Sequence, residues 1–425
     1  MRQYYLVGDV GGTNCRLQLF RDGRDEALHE HVFKTQEHSG LAPLIMLFLQ
    51  QSGVKNVRLG AVCLAIAGPV EKGEVRLTNV SWHCSADVLA ESLGLPRQTV
   101  TIVNDFVAVG YGLPELARSD VIRLSGSSSD SQCSDFNGDG ESGNASDLED
   151  DDVSIEDRHS PIACVGAGTG LGMVYATHNG DHYVAHGTEG GHANFAPRKR
   201  AEFELREFIR KRDSLDRVSV ERVVSGSGIL RVYEFFLQKE GAADAEDEEI
   251  AQTAVESRPA AISRLGLAAF KEGHDNRCLR ALRFWLDCYA NAVGDYAIST
   301  WSASGIYVAG GIAPKLAPLL LHKGGAAFHD KVCSKGRVSP WLKQFPLYLV
   351  INEHVGLLGA RAIARRNLRA NSGGSPSTDL SSPHKKAQHR CPVRALTQAL
   401  TWLALPTLAF VATRQLLRVR ARRER

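Results

Sequence analysis

The sequence predicts an α/β protein of two domains, a smaller and a larger. Three observations carry this. The chain has 425 residues, too many for one ordinary core. Apolar runs of strand length alternate with helical patterns through most of it. Two stretches read strand, glycine turn, strand: "YYLVGDVGGTNCRLQLF" from Tyr4 and "CVGAGTGLGMVYA" from Cys164. A third glycine pair, Gly310-Gly311, stands between a strand and a helical segment.

In the first stretch the apolar residues Tyr4 to Val10 meet Gly11-Gly12-Thr13-Asn14, and alternation returns with Leu17 and Leu19. "VRLGAVCLAIAGPV" follows as a buried strand ending in Gly68-Pro69. "SADVLAESLGL" predicts a short helix with Ser85 as N-cap and Gly94 just past its end. "TVTIVNDFVAVGYGL" is a strand running into a helix. Together these make a small domain over residues 1–125.

Residues 126–160 break the pattern. They are rich in Ser, Gly and Asp and poor in apolar groups, so they predict a disordered acidic insertion. Asp135, Asn137, Asp139 and Gly140 match the front half of a calcium loop. The twelfth position is Ser146 rather than Glu, the eighth is Ser142, and no amphipathic helices flank it, so a solvated acidic loop is the better reading.

The large domain, 161–366, opens on the second glycine stretch. A helix is expected from Glu202 to Lys211. In "RALRFWLDCYANAVGDYAIST", Leu282, Trp285, Leu286, Tyr289, Val293 and Tyr296 form one stripe at helical spacing. "GIYVAGGIAPKL" gives a strand, a glycine turn and a helix. "FPLYLVINEHVGLLGARAIARR" closes the folded body near Arg366, with a last helix that can return to the small domain.

Residues 367–394 read as a linker, and 395–425 as an apolar segment with a basic end. Ala395 to Thr413 is uncharged over 19 residues, bounded by Arg394 and Arg414. At ~1.5 Å per residue, a helix of that length nearly spans a bilayer's hydrocarbon core. Gln398, Pro406 and several threonines weaken it as a span. A membrane anchor, a peripheral amphipathic segment and a tail packing on the body or a partner all stay open.

Hydrophobic residues make up 43% and charged residues 23%, the balance of a soluble globular protein. Net charge is +2, but from residue 367 onward 11 Lys and Arg stand against 2 Asp and Glu, which leaves the body acidic. An acidic body argues against nucleic acid as the partner. The nine cysteines are scattered, odd in number and without a Cys-x-x-Cys, so reduced thiols in a cytoplasmic compartment fit better than a zinc site or disulfides. The first residues enter a strand directly, and no secretory signal is expected.

Glycine loops let backbone amides approach an anion closely. Gly166, Gly168, Gly170 and Gly172 crowd the second one. Its spacing is not G-x-G-x-x-G, no G-x-x-x-x-G-K-[ST] occurs, and protein-kinase motifs are missing. Taken singly, each loop reads as a structural turn. Two such loops, one opening each half, with Gly310-Gly311 as a third, suit a nucleotide held between two domains. That repeated βββαβα logic belongs to actin, sugar kinases and heat-shock ATPases. A plain turn has no use for Asp9, Thr13 and Asn14 at its tip. Asp9 and Thr13 make sense facing the waters of a Mg²⁺ ion and the phosphates of ATP.

The motifs "LVGDVGGTN", "AIAGPV", "LTNVSW", "IVNDFVAVGYG", "GAGTGLG", "EGGHANFAP", "SVERVVSGSG", "YVAGGI" and "GLLGARA" follow in an order and spacing that resemble the bacterial-type glucokinases. The likeness covers roughly residues 3–366 apart from the acidic insertion; the tail has no counterpart in the pattern. It implies an actin-like ATPase (ribonuclease H-like) fold and ATP-dependent phosphorylation of glucose at its 6-hydroxyl, the first step of glycolysis, in the cytoplasm. By this resemblance Asp105 is the catalytic base, and Asn104, Glu189, His192 and Glu221 bind the sugar. Read alone, Asn104-Asp105 is a turn or helix cap, and Glu221 a solvated carboxylate in a helix first turn capped by Ser219. The resemblance sets Asp9, Gly11, Gly12, Thr13, Asn14, Gly168 and Thr169 against the phosphates and Gly310 and Gly311 near adenosine. Asp9 would hold Mg²⁺ through water. Asn79 and Trp82 would shape the sugar cleft, and a homodimer is common in the family. "HANFAPRKRAEFE" after His192 lacks the cysteines of the zinc-binding ROK sugar kinases, and no helix-turn-helix fits before residue 4, so the likeness is to the non-zinc group. A kinase for another hexose or amino sugar, or a catalytically silent sugar sensor, are the alternatives.

Overall fold

The structure is a computed structural model and describes residues 3–55, 57–77, 80, 82–124, 159–241 and 245–371. Residues 126–158 of the acidic insertion, with its calcium-like stretch, Asn79, and the segment 395–413 lie outside the described residues.

The strands are β1 (Tyr4–Val10), β2 (Asn14–Arg21), β3 (His29–Lys34), β4 (Leu59–Ile66), β5 (Glu74–Arg76), β6 (His83–Ser85), β7 (Val100–Asn104), β8 (Val121–Arg123), β9 (Ile162–Ala167), β10 (Leu171–His178), β11 (Tyr183–Thr188), β12 (Gly305–Ala309) and β13 (Leu347–Val350). The helices are α1 (Leu41–Gln51), α2 (Ala86–Ser92), α3 (Asp105–Gly112), α4 (Arg200–Arg212), α5 (Val220–Val223), α6 (Gly226–Glu240), α7 (Ala245–Gln252), α8 (Arg258–Glu272), α9 (Arg277–Thr300), α10 (Ala317–Leu320), α11 (Ala326–Cys333), α12 (Ser339–Leu342) and α13 (Val355–Asn371).

One topology occurs twice. The first sheet runs β3-β2-β1-β4-β7, and the second runs β11-β10-β9-β12-β13-β8. Each begins as an antiparallel three-strand meander and continues with two strands parallel to its first. The chain crosses between the sheets at two places. β8, early in the sequence, pairs antiparallel with β13 in the second sheet. α13, last in the described chain, returns to the first sheet, where Leu357, Ala360, Ile363 and Leu368 pack with Tyr5, Val7, Ala61 and Cys63. On the opposite face Leu44, Ile45 and Phe48 of α1 pack with Leu6, Leu17 and Leu64. A sheet covered on both faces explains why β4 reads as the unbroken apolar run LGAVCLAI.

The core of the second half gathers on α9. Leu282, Trp285, Leu286, Tyr289, Val293 and Tyr296 are all buried, as their spacing predicts. The Tyr289 hydroxyl donates to the Val165 carbonyl at 2.8 Å and so pins α9 under β9.

Helix α3 lies between the two sheets, in contact with α13, β10 and β11. Its seat depends on missing side chains. A Cβ on Gly359 would stand 1.7 Å from the Ala108 carbonyl oxygen, and one on Gly112 would stand 2.1 Å from that of Val355. The two helices therefore touch backbone to backbone, which accounts for Gly112 of "GYG" and Gly359 of "GLLG".

Two expected caps are absent. Ser85 and Ser219 flank helices but make no side-chain cap bond. Ser85 pairs with Glu74 in a ladder and Ser219 forms a bridge with Asn194, so strand pairing already fixes those entries. Among the described residues Asn104, Ser225 and Asn276 cap helices with their side chains.

Candidate active site

The carboxyl ends of parallel strands gather the first half of the site. β1, β4 and β7 end in register at Val10, Ile66 and Asn104. In open α/β sheets ligands bind beyond these ends. The first glycine turn closes with the Gly11 amide donating to the Asn14 carbonyl at 2.9 Å. Thr35, fully buried, braces it: its hydroxyl donates to the Gly11 carbonyl at 2.9 Å, and its amide donates to the Thr13 carbonyl at 3.0 Å. Lys34 Nζ donates to Asn14 Oδ1 at 2.9 Å. Gly12 stays half-buried, and Thr13 and Asn14 are exposed at the tip.

Asp105 is the first residue of α3. Its Oδ1 accepts from the Phe106 amide at 2.9 Å and from Asn104 Nδ2 at 2.8 Å. Desolvation raises its carboxyl above the usual range, against those stabilising bonds. Asp9 is open to solvent yet hemmed in by protein. Desolvation first, then the charge of Asp105, push its carboxyl up to about 6, while Arg16 pulls the other way. The two carboxylates therefore feel each other across the site.

Asn104 stands at the N-cap of α3, immediately before Asp105. Its Oδ1 accepts from the amides of Phe106 and Val107, and its Nδ2 donates to the Gly68 carbonyl and to Asp105. An amide has two donors and one doubly accepting oxygen. All are engaged, so Asn104 here caps α3 and aims Asp105. Trp82 is likewise committed: it is buried in the core of the first sheet, and its indole donates to the His38 carbonyl at 3.3 Å.

The second half of the site forms around the other hairpin. Ala167 pairs with Leu171, and the Gly168 amide donates to the Gly170 carbonyl at 2.8 Å. Thr169 is exposed at the tip. The Gly226 amide, at the start of α6, donates to the Gly168 carbonyl at 2.8 Å. Gly310, at φ 85°, lies so close that a Cβ would stand 2.4 Å from the Ala167 carbonyl oxygen. Gly310 thus abuts the second hairpin. Glu221 Oε2 accepts from the Leu171 amide at 2.9 Å. The turn Gly190–His192 packs on the same residue, since a Cβ on Gly191 would lie 2.3 Å from the Leu171 carbonyl oxygen. Glu189 and His192, both exposed, stand 3.6 Å apart. The structure therefore brings Glu189, His192 and Glu221 together beside Gly168 and Thr169.

The two halves meet at Phe106. Gly166 and Gly172 are not part of the loop, as the sequence suggests, but face each other across β9 and β10. A Cβ on either would lie 2.4 Å or 2.2 Å from the ring of Phe106. These glycines form a socket for the residue next to the base. Sequence reasoning misses Phe106, Thr35 and Arg16. A pattern of glycines alternating with apolar residues beyond the loop was the available signal for the socket.

The described residues contain no group of three or more His, Cys, Asp or Glu able to hold a metal ion. The seven described cysteines are buried free thiols. Burial pushes Cys84 up to about 11, far from a reactive thiolate.

Fold and site together define a phosphotransferase of the actin-like ATPase fold. The glucokinase family model matches residues 6–138 and 141–367. A glucokinase of Nostoc punctiforme is 34% identical over 372 residues, covering 85% of this chain and 98% of the relative. A glucokinase structure from an Antarctic psychrotroph is 26% identical with a TM-score of 0.65, covering 85% of this chain and 99% of its own. The Balamuthia mandrillaris glucokinase in complex with glucose is 19% identical with a TM-score of 0.66, covering 86% and 94%. The chain belongs to the glucokinase family.

Proposed function

We infer that this chain is a glucokinase that transfers the γ-phosphoryl group of ATP to the 6-hydroxyl of glucose. The observation that carries the reading is Asp105, a carboxylate raised by desolvation, aimed by Asn104 and the α3 amide, and tied by Phe106 to the second glycine hairpin. Asp105 accepts the proton of the attacking hydroxyl. Glu189, His192 and Glu221 bind the other hydroxyls, each of which must find a partner once water is excluded. The hairpin amides at Gly11, Gly12 and Gly168, with the Thr13 and Thr169 hydroxyls, receive phosphate oxygens, and Gly310-Gly311 borders the adenosine.

Mg²⁺ fits the donors present. It keeps several waters and takes one or two carboxylates beside substrate phosphates. Asp9, with its carboxyl held up near 6, gains from a cation there and would hold it through water. The bound ion would neutralise charge on the phosphates during transfer.

This reading places the chain at the start of glycolysis, in the cytoplasm, as a homodimer. Among the described residues no helix is long and apolar enough to cross a membrane. Membrane contact through residues 395–413 is a separate proposal, tested by fractionating cells that express the chain with and without residues 372–425. The direct test of function is product analysis with MgATP and glucose, mannose, fructose or N-acetylglucosamine. Glucose 6-phosphate as the fastest product supports the reading. A faster product from another sugar supports the alternative hexose or amino-sugar kinase.

A further inference from the structure

The turn that carries Glu189 and His192 is held at both ends, and the two ends are held differently. Within it, the His192 amide donates to the Glu189 carbonyl at 2.9 Å and the Ala193 amide to the Gly190 carbonyl at 3.0 Å. At its start the anchor is buried. The Gly190 amide donates to Thr188 Oγ1 at 3.4 Å. That hydroxyl donates in turn to the Met173 carbonyl at 3.2 Å and lies 3.2 Å from the hydroxyl of Tyr296, a buried residue of α9. This end is therefore fixed to the core of the second half.

The other end is open to solvent: His192, Ala193 and Asn194 are all exposed. A short antiparallel pairing carries them. The Phe195 amide donates to the Val218 carbonyl and the Val220 amide to the Ala193 carbonyl, both at 2.9 Å, with Asn194 bridged to Ser219. That bridge lies two residues from His192 along one segment and two from Glu221 along the other. Arg217 stands just before it, exposed, and reaches back toward the turn. Its Nη1 donates to the His192 carbonyl at 2.8 Å and lies 3.4 Å from Asn194 Oδ1. Both contacts fall on the segment leaving the turn, and among the described residues Arg217 pairs with no carboxylate. An ionised donor makes a shorter and stronger bond to a carbonyl than a neutral one does. At the exposed end, this bond fixes the backbone of His192.

A polyhydroxyl ligand is bound by several hydrogen bonds at once, and each weakens if its partner drifts. A loop that must be ordered on binding lowers affinity, whereas one already held in place does not. We propose that Arg217 is a positioning residue for the sugar: it locks the exposed end of the turn, so that His192 and Glu189, 3.6 Å apart, are set for neighbouring hydroxyls before the ligand arrives. This rests on the sugar-binding assignment proposed above. Arg217 acts through the His192 backbone, while Asp105 and the glycine hairpins are held by other bonds. Loosening the turn removes binding that ground state and transition state share, which raises KM and leaves kcat alone.

The test measures glucose affinity by calorimetry, and KM for glucose, KM for MgATP and kcat, on the full chain as wild type, Arg217→Met and Arg217→Lys. Arg217→Met should raise glucose Kd and KM about five- to tenfold, the range for one exposed hydrogen bond from a charged donor. Its kcat and its KM for MgATP should stay within about twofold of wild type. Arg217→Lys keeps a charged donor and should recover part of the loss. A rise in both KM values together, or a fall in kcat, would overturn the proposal and leave a general structural role; no change in glucose KM would overturn it outright. If Arg217→Met fails to melt cooperatively, Arg217→Lys carries the test, with the same selective rise expected in smaller measure. If wild type transfers phosphate to no sugar, the glucokinase reading fails; if wild type turns over and Arg217→Met matches its glucose KM, only this role fails.

Discussion

The two glycine hairpins share topology and position at the carboxyl ends of their sheets, yet their surroundings differ in kind. Around the first, side chains dominate: Asp9, Asn14, Arg16, Lys34 and the Thr35 brace. Around the second, backbone dominates: Gly226 donates to Gly168, Gly310 presses on Ala167, and Gly166 and Gly172 give up their side chains to Phe106. A repeated fold supplies two anion cradles at little cost in new geometry. Which half does charge and proton chemistry is decided by the side chains at its mouth. In the proposed reading the first half supplies the base and the cation site, and the second is a cradle built largely of backbone, beside which stand Glu189, His192 and Glu221.

The largest effect should come from filling the socket. Gly172→Ala puts a methyl where the ring of Phe106 lies, and overpacking of this kind costs about 1–3 kcal/mol of stability. Because α3 must move, kcat should drop about a hundredfold, as small misplacements of catalytic groups do. Phe106→Leu in the same chain should restore part of kcat. A Gly172→Ala enzyme with wild-type kcat would mean that the second hairpin does not position Asp105.

Glu221→Ala removes both a proposed sugar partner and the acceptor of the Leu171 amide. Glucose KM should rise about tenfold or more, the scale of a charged hydrogen bond, with ADP affinity little changed. Equal loss for glucose and ADP would erase the distinction between cradle and sugar site.

Asp9 gives the comparison a pH signature. Its carboxyl titrates at about 6 in the folded chain, above the 3.8 of an ordinary aspartate. Below that pH it is protonated and a poorer partner for a hydrated cation, so kcat/KM for MgATP should fall on the acid side by up to about tenfold per pH unit. Asp9→Asn should lose that limb along with most activity. The stability effect has the opposite sense. The folded chain holds this proton more tightly than the unfolded one, so the group stabilises fully below 3.8 and that contribution disappears as pH rises through 6. Asp9→Asn should therefore raise Tm at pH 8 and add little at pH 4, read by thermal melts at both.

The smallest effect belongs to the brace. Thr35→Val keeps shape and loses the hydroxyl bond to Gly11, so KM for MgATP should rise by about fivefold, the worth of one ordinary hydrogen bond. A change in glucose KM instead would place the brace on the wrong half.

Much of this was legible in the chain. The α9 stripe from Leu282 to Tyr296 is a period-3.6 signal strong enough to survive any context, and each predicted residue is buried. The two hairpins were readable because a glycine turn between two apolar runs of strand length leaves the chain little choice but to fold back on itself. The caps were less so: Ser85 and Ser219 have the right chemistry, but strand pairing with Glu74 and Asn194 does the work. Glycines with no positive φ, such as Gly166, Gly172 and Gly359, say nothing locally. Their reason is a neighbour distant in sequence, the ring of Phe106 or the Ala108 carbonyl. The crossing of β8 to β13 is hidden for the same cause, since pairing partners more than 200 residues apart leave no mark on local pattern. Asn104 carries a contact no motif announces: besides capping α3, its side-chain amide donates to Asp105 and to the Gly68 carbonyl, 36 residues earlier.

The division of labour turns on Asp105. The measurement that tests it most directly is single-turnover formation of glucose 6-phosphate by Asp105→Asn beside wild type, with affinities for glucose and a non-hydrolysable ATP analogue taken on the same proteins. Binding of both ligands should stay within about threefold while transfer slows by ~10²-fold or more, the span of general-base catalysis. Transfer within about tenfold of wild type, with binding intact, would contradict Asp105 as the base and with it the assignment of the chemistry to the first half of the site.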